Sequence, residues 1–522
     1  MESVSTGPIK PGIAPDPVLA IDSWSRIILG PYAGTPKGAR LETLRCRCAV
    51  GTNAFLQALA LLAVFSSCSS PSTPVHEKLD ASVLEKRLAV VPGNGRLTLC
   101  TFSANRKSFA YTGYTGQGKD FIGIGGSDVK VYDHVGWPTF SPDGQTVAYR
   151  AGDRNKAFVM VGDRKGEEFD TVGQPHFNPE INDEEIAFGS DGRSVIYFAG
   201  RGGKMFVVIG DKKGEEFDFI AWCWLSPDRK RVAFVAQKES KGFLVVGEDK
   251  IEVEELESFS FSPDSTTFAY AIKKGGKWSA IVGQRRIGGD YEETAGPVFS
   301  PDGKTVAYWA RKNRKEFVVV GDKKGTSFDE VRPYGIQFSP DGSTVAYVAI
   351  KGGREFVVVG DKKGEEFESL FGPRFLRGTT VVYAAKNGNK MSLVMGEKKG
   401  PGFDHLAIYG VEGLEVCPWG IIFSPDGTNV AYRAQEDVDW YVVVGENRGE
   451  KFDGVRALTF SPDGQTVAYV ATNDSRDFVV VGRKKGEEFD GVYQPTFFSD
   501  GRKVGFGALK NNELWWKVID VE

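Results

Sequence analysis

Four histidines, His76, His134, His176 and His405, are the only imidazoles in 522 residues. His134, His176 and His405 each fall between an outer strand and the next inner strand, on the same loop-bearing side, so they could form a shared polar cluster or a metal site, or be scattered loop residues. No His-Glu-x-x-His pair and no calcium-loop pattern accompanies them. "GYTGQGKD" (Gly113–Asp120) has phosphate-loop spacing up to Lys119. Asp120 then stands where a Ser or Thr must hold magnesium, and the strand-like Phe121–Ile124 follows where a helix is needed. No Gly-x-Ser-x-Gly nucleophile elbow occurs. Paired carboxylates could support glycan hydrolysis. The "GEEFD" stretches (Gly166–Asp170, Gly214–Asp218, Gly486–Asp490) interleave theirs with lysine, the pattern of a solvated rim. The aromatic residues are more informative. Trp137, Trp222 and Trp419 each precede a recurring strand by a few places, with Trp224 beside the second. They could line a binding mouth, or could plug a channel and pack between sheets. The sequence points to no catalytic set, no metal and no cofactor.

What must position these residues is a repeat. "FSPDG" stands at Phe140–Gly144, Phe299–Gly303, Phe338–Gly342, Phe423–Gly427 and Phe460–Gly464. Aligned on its Asp, or the residue in that place, the motif marks eleven units: Asn105, Asp143, Asp191, Asp228, Asp264, Asp302, Asp341, Arg377, Asp426, Asp463 and Asp500. Most steps are 36 to 39 residues, and two are 48 and 49. A fixed period of this size means a repeat architecture. In Phe338–Leu370, Pro340 presets φ, Asp341 caps its own backbone and Gly342 accepts a positive φ, which makes a hairpin corner. "TVAYVA" and "EFVVVG" are β-rich and apolar on both faces, with "KGGR" turning between them. "EEFESL" alternates, Phe367 inward and Glu366 and Glu368 outward. A short strand before Phe338 completes four. Antiparallel strands buried on both faces are strands sandwiched between neighbouring sheets. The fold class is therefore all-β, a β-propeller of about eleven four-stranded repeats.

"FSPDGKTVAYWA" (Phe299–Ala310) and its copies resemble the WD40-like repeat of TolB-type bacterial propellers over about residues 100–510. The resemblance implies a propeller with a binding role in the envelope. The chain departs from TolB in showing no α/β domain ahead of the repeats, and it lacks the Gly-His and Trp-Asp signatures of eukaryotic WD repeats.

Two ring arrangements fit. The long steps, near Pro175–Gly189 and His405–Gly420, divide the array into six units and five, so a six-bladed ring could be inserted into a five-bladed one. The even spacing of the other units favours one continuous ring. The last unit ends without an outer strand, and "KRLAVV" (Lys86–Val91) can supply it.

The chain divides into 1–44, an unstructured Pro/Gly/Ser-rich leader; 45–67, a signal peptide; 68–80, a tether; and 81–522, the repeats. Arg45 and Arg47 precede the apolar Ala54–Phe65 run. That run has signal-core length and is too short for a bilayer span, which needs about 20 residues. Phe65-Ser66-Ser67-Cys68 resembles a bacterial lipobox, which implies lipidation of Cys68. A signal peptide starting near residue 45 suggests a start codon assigned upstream of Leu44 or Val50. Cys46, Cys48, Cys100, Cys223 and Cys417 form no Cys-x-x-Cys pair. Net charge is −4 with no basic stripe, so nucleic acid is not an expected partner.

Together these features predict a monomeric, lipid-anchored protein of the bacterial envelope, periplasmic or surface-facing, that binds a protein, peptide or glycan at one propeller face. A glycan hydrolase or lyase using channel-mouth carboxylates and a structural spacer are the alternatives.

Overall fold

The structure is a computed structural model and describes residues 27–28, 85–90, 95–103, 108–125, 129–173, 186–406 and 421–521. Every regular element among them is a strand, and the strands form eleven antiparallel sheets. We number the sheets as blades: 1 (96–132), 2 (134–165), 3 (171–213), 4 (219–253), 5 (255–291), 6 (293–324), 7 (330–363), 8 (369–399), 9 (405–452), 10 (454–489) and 11 (491–520 with 85–90). Strands within a blade are lettered A to D in order across the sheet. The A strands of neighbouring blades approach one another and define the inner side.

The eleven blades make one ring. In blade 7, strand B (Val345–Lys351) is buried from Val345 to Ala349. Val345, Tyr347 and Ala349 pack against blade 6, and Ala346 and Val348 against blade 8. The same division recurs at each step, giving eleven apolar clusters, each shared by two consecutive blades. The clusters between blades 2 and 3 and between blades 8 and 9 join the six-unit and five-unit blocks directly, so the two-ring arrangement is excluded. Glu85–Val90 is the outer strand of blade 11, pairing with Glu513–Asp520 in the register Glu85↔Lys517 to Val90↔Glu513. Leu88 and Leu514 then join the cluster against blade 1 and close the circle.

Repeated aromatic residues bolt blade to blade. Strand B carries a buried "VAY" tyrosine in most blades, and the Phe of "EEF" from the preceding blade meets it edge-on. Phe169–Tyr197, Phe328–Tyr347, Phe367–Tyr383, Phe403–Tyr432 and Phe452–Tyr469 have centroids 5.9–6.4 Å apart. Phe217–Phe234 and Phe489–Phe506 are the same contact with Phe on both sides. Tyr132–Tyr149 and Tyr291–Tyr308 replace Phe with Tyr and add hydroxyl–hydroxyl hydrogen bonds of 3.3 and 3.2 Å. Such a pair contributes about 0.5–1.5 kcal/mol beyond area burial.

The FSPDG motif is the corner between strands A and B. Ser141 Oγ donates to Asp143 Oδ1 at 2.6 Å and accepts from the Thr146 amide at 2.9 Å. Gly144 turns at φ +68° while its amide donates to the Ser141 carbonyl at 2.8 Å. Corners also interlock around the ring: a Cβ on Gly342 would meet Pro301 of the previous corner at 3.6 Å. The motif is therefore scaffold.

Two features differ from the sequence reading. Ile27–Ile28, in the segment expected to be unstructured, pairs antiparallel with Glu255–Leu256 on the inner edge of blade 5. An inner A strand leaves one edge unpaired, and two β-branched residues suit that edge. The two long insertions also lie elsewhere than expected. Residues 174–185 and 407–420 are outside the described set, but they enter within strand A, between its two paired halves Thr171–Val172 and Ile186–Phe188, and His405–Leu406 and Ile421–Phe423. The sequence places them before the inner strand because two-residue strand segments carry no readable alternation.

In blades 2 to 7, 10 and 11 the B–C hairpins are two-residue turns with both residues at positive φ, as Gly352 (+59°) and Gly353 (+75°) show. Blade 4 fills the same turn with Glu239 (+52°) and Ser240 (+65°). Left-handed φ costs such residues about 1–2 kcal/mol each. The double change Glu239→Asn, Ser240→Gly should raise stability by about 1–2 kcal/mol. Urea unfolding of both proteins checks this, and an unchanged or lowered midpoint counts against the turn assignment.

Candidate binding surface

Strand A lines the inner side, and it is the least repetitive part of each blade. In blades 1 to 10 its first residue pairs with the sixth residue of strand B, for example Phe219↔Gln237 and Glu330↔Ile350. In blades 1, 4, 5, 6, 8 and 10 it then breaks register in a bulge before re-pairing ahead of the corner. A bulge leaves residues without a cross-strand partner and re-aims their side chains. These middle positions differ from blade to blade.

The sequence-derived candidates distribute as follows. Trp222 sits in the bulge of blade 4 and is 43% exposed, with Phe219 on the same strand 53% exposed. Trp137 lies in the gap between the two halves of blade 2 strand A and is half-buried. Trp224 packs between blades 4 and 5 against Phe259, with centroids 4.9 Å apart. His134 and His405 hold the same register position, the first residue of strand A, in blades 2 and 9. The ring therefore separates these two by four steps instead of gathering them. His405 faces Trp440 edge-on at 6.3 Å, and desolvation and then the Arg433 charge lower its pKa, so it is neutral at pH 7. His176, Trp419 and Cys68 lie outside the described residues. Both histidines and Trp222 are thus on inner strands, whereas the sequence reading puts them in loops ahead of those strands.

The richest stretch of inner wall runs from blade 4 to blade 7. Phe219 and Trp222 are followed by Glu257 in the blade 5 bulge. Tyr334, from the irregular segment of blade 7, reaches across blade 6 and donates its hydroxyl to Glu257 Oε1. The crossing needs a glycine below it: a Cβ on Gly296, at φ +62°, would meet the Pro333 carbonyl oxygen at 2.4 Å, while the Gly296 amide donates to Ser258 Oγ at 2.9 Å. Strand A of blade 4 thus carries two exposed aromatics, and strand A of blade 5, next along the wall, carries a carboxylate bonded to a phenol. Phe219 and Tyr334 are absent from the sequence-derived set; the run "FDFIAWCWL" carries a signal for Phe219, and nothing local does so for Tyr334.

The abundant carboxylates have other tasks. The acid that follows the "EEF" position caps the B–C turn of the next blade. Asp170 accepts from the Gly202 amide at 2.8 Å, Asp218 from Glu239 at 2.8 Å, Asp453 from Asp474 at 2.8 Å and Asp490 from Asn511 at 2.7 Å. A second set latches strand C to the next strand A. Glu316 accepts from the Val331 amide at 2.7 Å, Glu355 from Leu370 at 2.6 Å, Asp477 from Val492 at 3.1 Å and Asp120 from Val135 at 2.9 Å. Asp120 of the phosphate-loop-like stretch is thus a blade latch. Among the described residues, every carboxylate with a displaced pKa is displaced downward; the Ser hydroxyls beside Asp341 and Asp426 draw them to about 2. Burial pushes the Cys100 thiol up, away from reactivity.

The fold is that of an eleven-bladed β-propeller. No protein-family model and no curated protein matches the chain. Among solved structures, it is similar to one described as the eukaryotic initiation factor, at 11% identity and TM-score 0.38, covering 74% of this chain and 97% of that one. It is also similar to a hydrazine synthase from Kuenenia stuttgartiensis, at 14% identity and TM-score 0.26, covering 50% and 95%. A third likeness, to the Dos1 propeller, has 10% identity and TM-score 0.27, covering 84% and 94%.

The carboxylate pattern fixes an acid response. Folded aspartate pKa values below the ordinary 3.8 stabilise the ring above that value, and this contribution is lost as pH falls toward about 2. His405, lowered from 6.5, adds one small loss below that value. Calorimetric melts should therefore change little from neutral pH to about 4 and drop steeply between about 4 and 2. A steep drop centred near pH 6 would contradict these assignments.

Proposed function

We propose that this protein is a non-catalytic binding propeller of the bacterial envelope that recognises a protein, peptide or glycan on its inner wall. The observation that carries this reading is the exposure of Phe219 and Trp222 on strand A of blade 4, next along the inner wall to the strand that holds the Glu257–Tyr334 bond. Everything that does repeat is engaged in closing the ring, which leaves the departures to carry recognition. Aromatic faces next to hydrogen-bonding groups suit sugar rings and peptide side chains alike. The TolB-type resemblance and the lipobox-like Phe65–Cys68 support an envelope location, with Cys68 lipidated and the propeller held to the membrane as a monomer.

Trp222→Ala tests the reading, because an exposed side chain is removed at a fold cost of about 0.5 kcal/mol or less. Wild type and variant are screened against a glycan array, a peptide library and solubilised envelope proteins. A ligand held by wild type should lose at least about tenfold in affinity on the variant. Equal retention by both, or turnover of a glycan that Glu257→Gln abolishes, would overturn binding at this wall as the function.

A further inference from the structure

The repeats supply their own controls, and one blade interface fails the pattern in a way that creates a site. In three of the four "GEEF" copies the first Glu is clamped by two cations of the next blade. Glu167 binds Arg201 at 2.7 Å and Lys213 at 2.6 Å; Glu215 binds Lys238 at 2.6 Å and Lys250 at 2.9 Å. Glu487 is held in the same way by Lys510 and Lys517. The first cation ends strand B and, in blades 3 and 4, the second lies in strand D.

At the interface of blades 5 and 6 both cations are present, as Lys312 and Lys324, but the clamped carboxylate is missing. Blade 5 reads "GQRRIGGDY" where the others read "GDKKGEEF"; Ile287 is one residue extra, and the pairings Ala280↔Gly288 and Ser279↔Gly289 put Gly288 in the place of Gly166 and Gly289 in the place of Glu167. A side chain has no room there, because a Cβ on Gly289 would lie 1.8 Å from Arg286 Nη2, and one on Gly288 would lie 2.0 Å from the Tyr308 hydroxyl. Blade 6 also lacks the in-strand partner that Glu168 gives Lys165 at 2.7 Å, because "GDKKGTSF" puts Ser327 in that position. The next acid along blade 5, Asp290, is engaged with Arg286 Nη2 at 2.9 Å.

The missing side chain leaves space. With Glu167 in place, the groove between blades 2 and 3 holds about 100 Å³; with Gly289 in that place, the matching groove between blades 5 and 6 holds about 380 Å³. That is within the range of about 300–1,000 Å³ for small-molecule sites. Tyr291, Tyr308 and Phe317 wall it, and Lys312, Lys324 and Asp322 stand at its edge. Lys324 Nζ is 4.1 Å from the Phe317 ring centroid. Burial and the Tyr291 hydroxyl raise the Tyr308 pKa, so that phenol stays a donor.

We propose that this groove binds a small organic acid, whose carboxylate replaces the missing glutamate between Lys312 and Lys324 while its apolar body lies against Tyr291 and Phe317. The site is on the outer half of the ring and is separate from the inner wall discussed above.

The test uses the full chain and two probes that differ only in charge, 3-phenylpropionate and 3-phenylpropionamide, titrated by calorimetry. The acid should bind saturably and the amide should not. Lys312→Gln and Lys324→Gln should each weaken the acid about tenfold, the loss of one charge-assisted hydrogen bond. Lys213→Gln, whose lysine is occupied by Glu167, should leave binding unchanged. Unliganded melting temperatures of all three variants should match wild type, since these lysines are exposed. Equal binding of acid and amide, no saturable binding of the acid, or an equal loss in Lys213→Gln would overturn the proposal.

Discussion

A blade of this protein cannot be stable alone, because its two central strands are apolar on both faces. Each of the eleven sheets needs a neighbour on either side, and each neighbour has the same need. Only a closed circle satisfies every blade at once. The chain meets that constraint with an edge-to-face ring pair from strand D to the next strand B, an acid that caps the next B–C turn, and an outer strand borrowed from Glu85–Val90. Eleven blades exceed the usual number of about four to eight, which places the A strands on a wide circle.

The same constraint separates scaffold from function. Ser, Asp and Gly of the corner close their own turn, while Tyr of "VAY", Phe of "EEF" and the acid after it have partners that hold blade to blade. Residues so occupied are poor candidates for recognition. The departures are few and sit in two places. One is the bulged middle of strand A, where Trp222, Glu257 and Tyr334 occur. The other is the groove where Gly289 replaces a clamped glutamate.

Most of the fold was legible in the sequence, because the signals that define it are local and recur. The corner chemistry, the two-faced strands, the inward Phe367 and the N-terminal closing strand all follow from short stretches. Ring closure was not decided by the sequence: spacing of 48 and 49 residues fits either one ring or two, and only the clusters on either side of blades 2–3 and 8–9 distinguish them. The site was legible only in part. Trp222 is a strong local signal, but Trp224, two places on, turns into the blade interface because a bulge resets the alternation. Tyr334 meets Glu257 across 77 residues of sequence and one whole blade, a contact that no local pattern encodes. His134 and His405 share a register position yet stand four blades apart, so their matching sequence places mean equivalence and not proximity.

Single-ring closure is the claim on which the remaining assignments rest, and images of the full chain viewed down the axis of the disc test it directly. Electron cryomicroscopy class averages should show one circle of eleven radial blades around a single opening. Two smaller rings of six and five blades, or an open arc with the blade formed by Glu85–Val90 and Glu513–Asp520 split apart, would contradict the account.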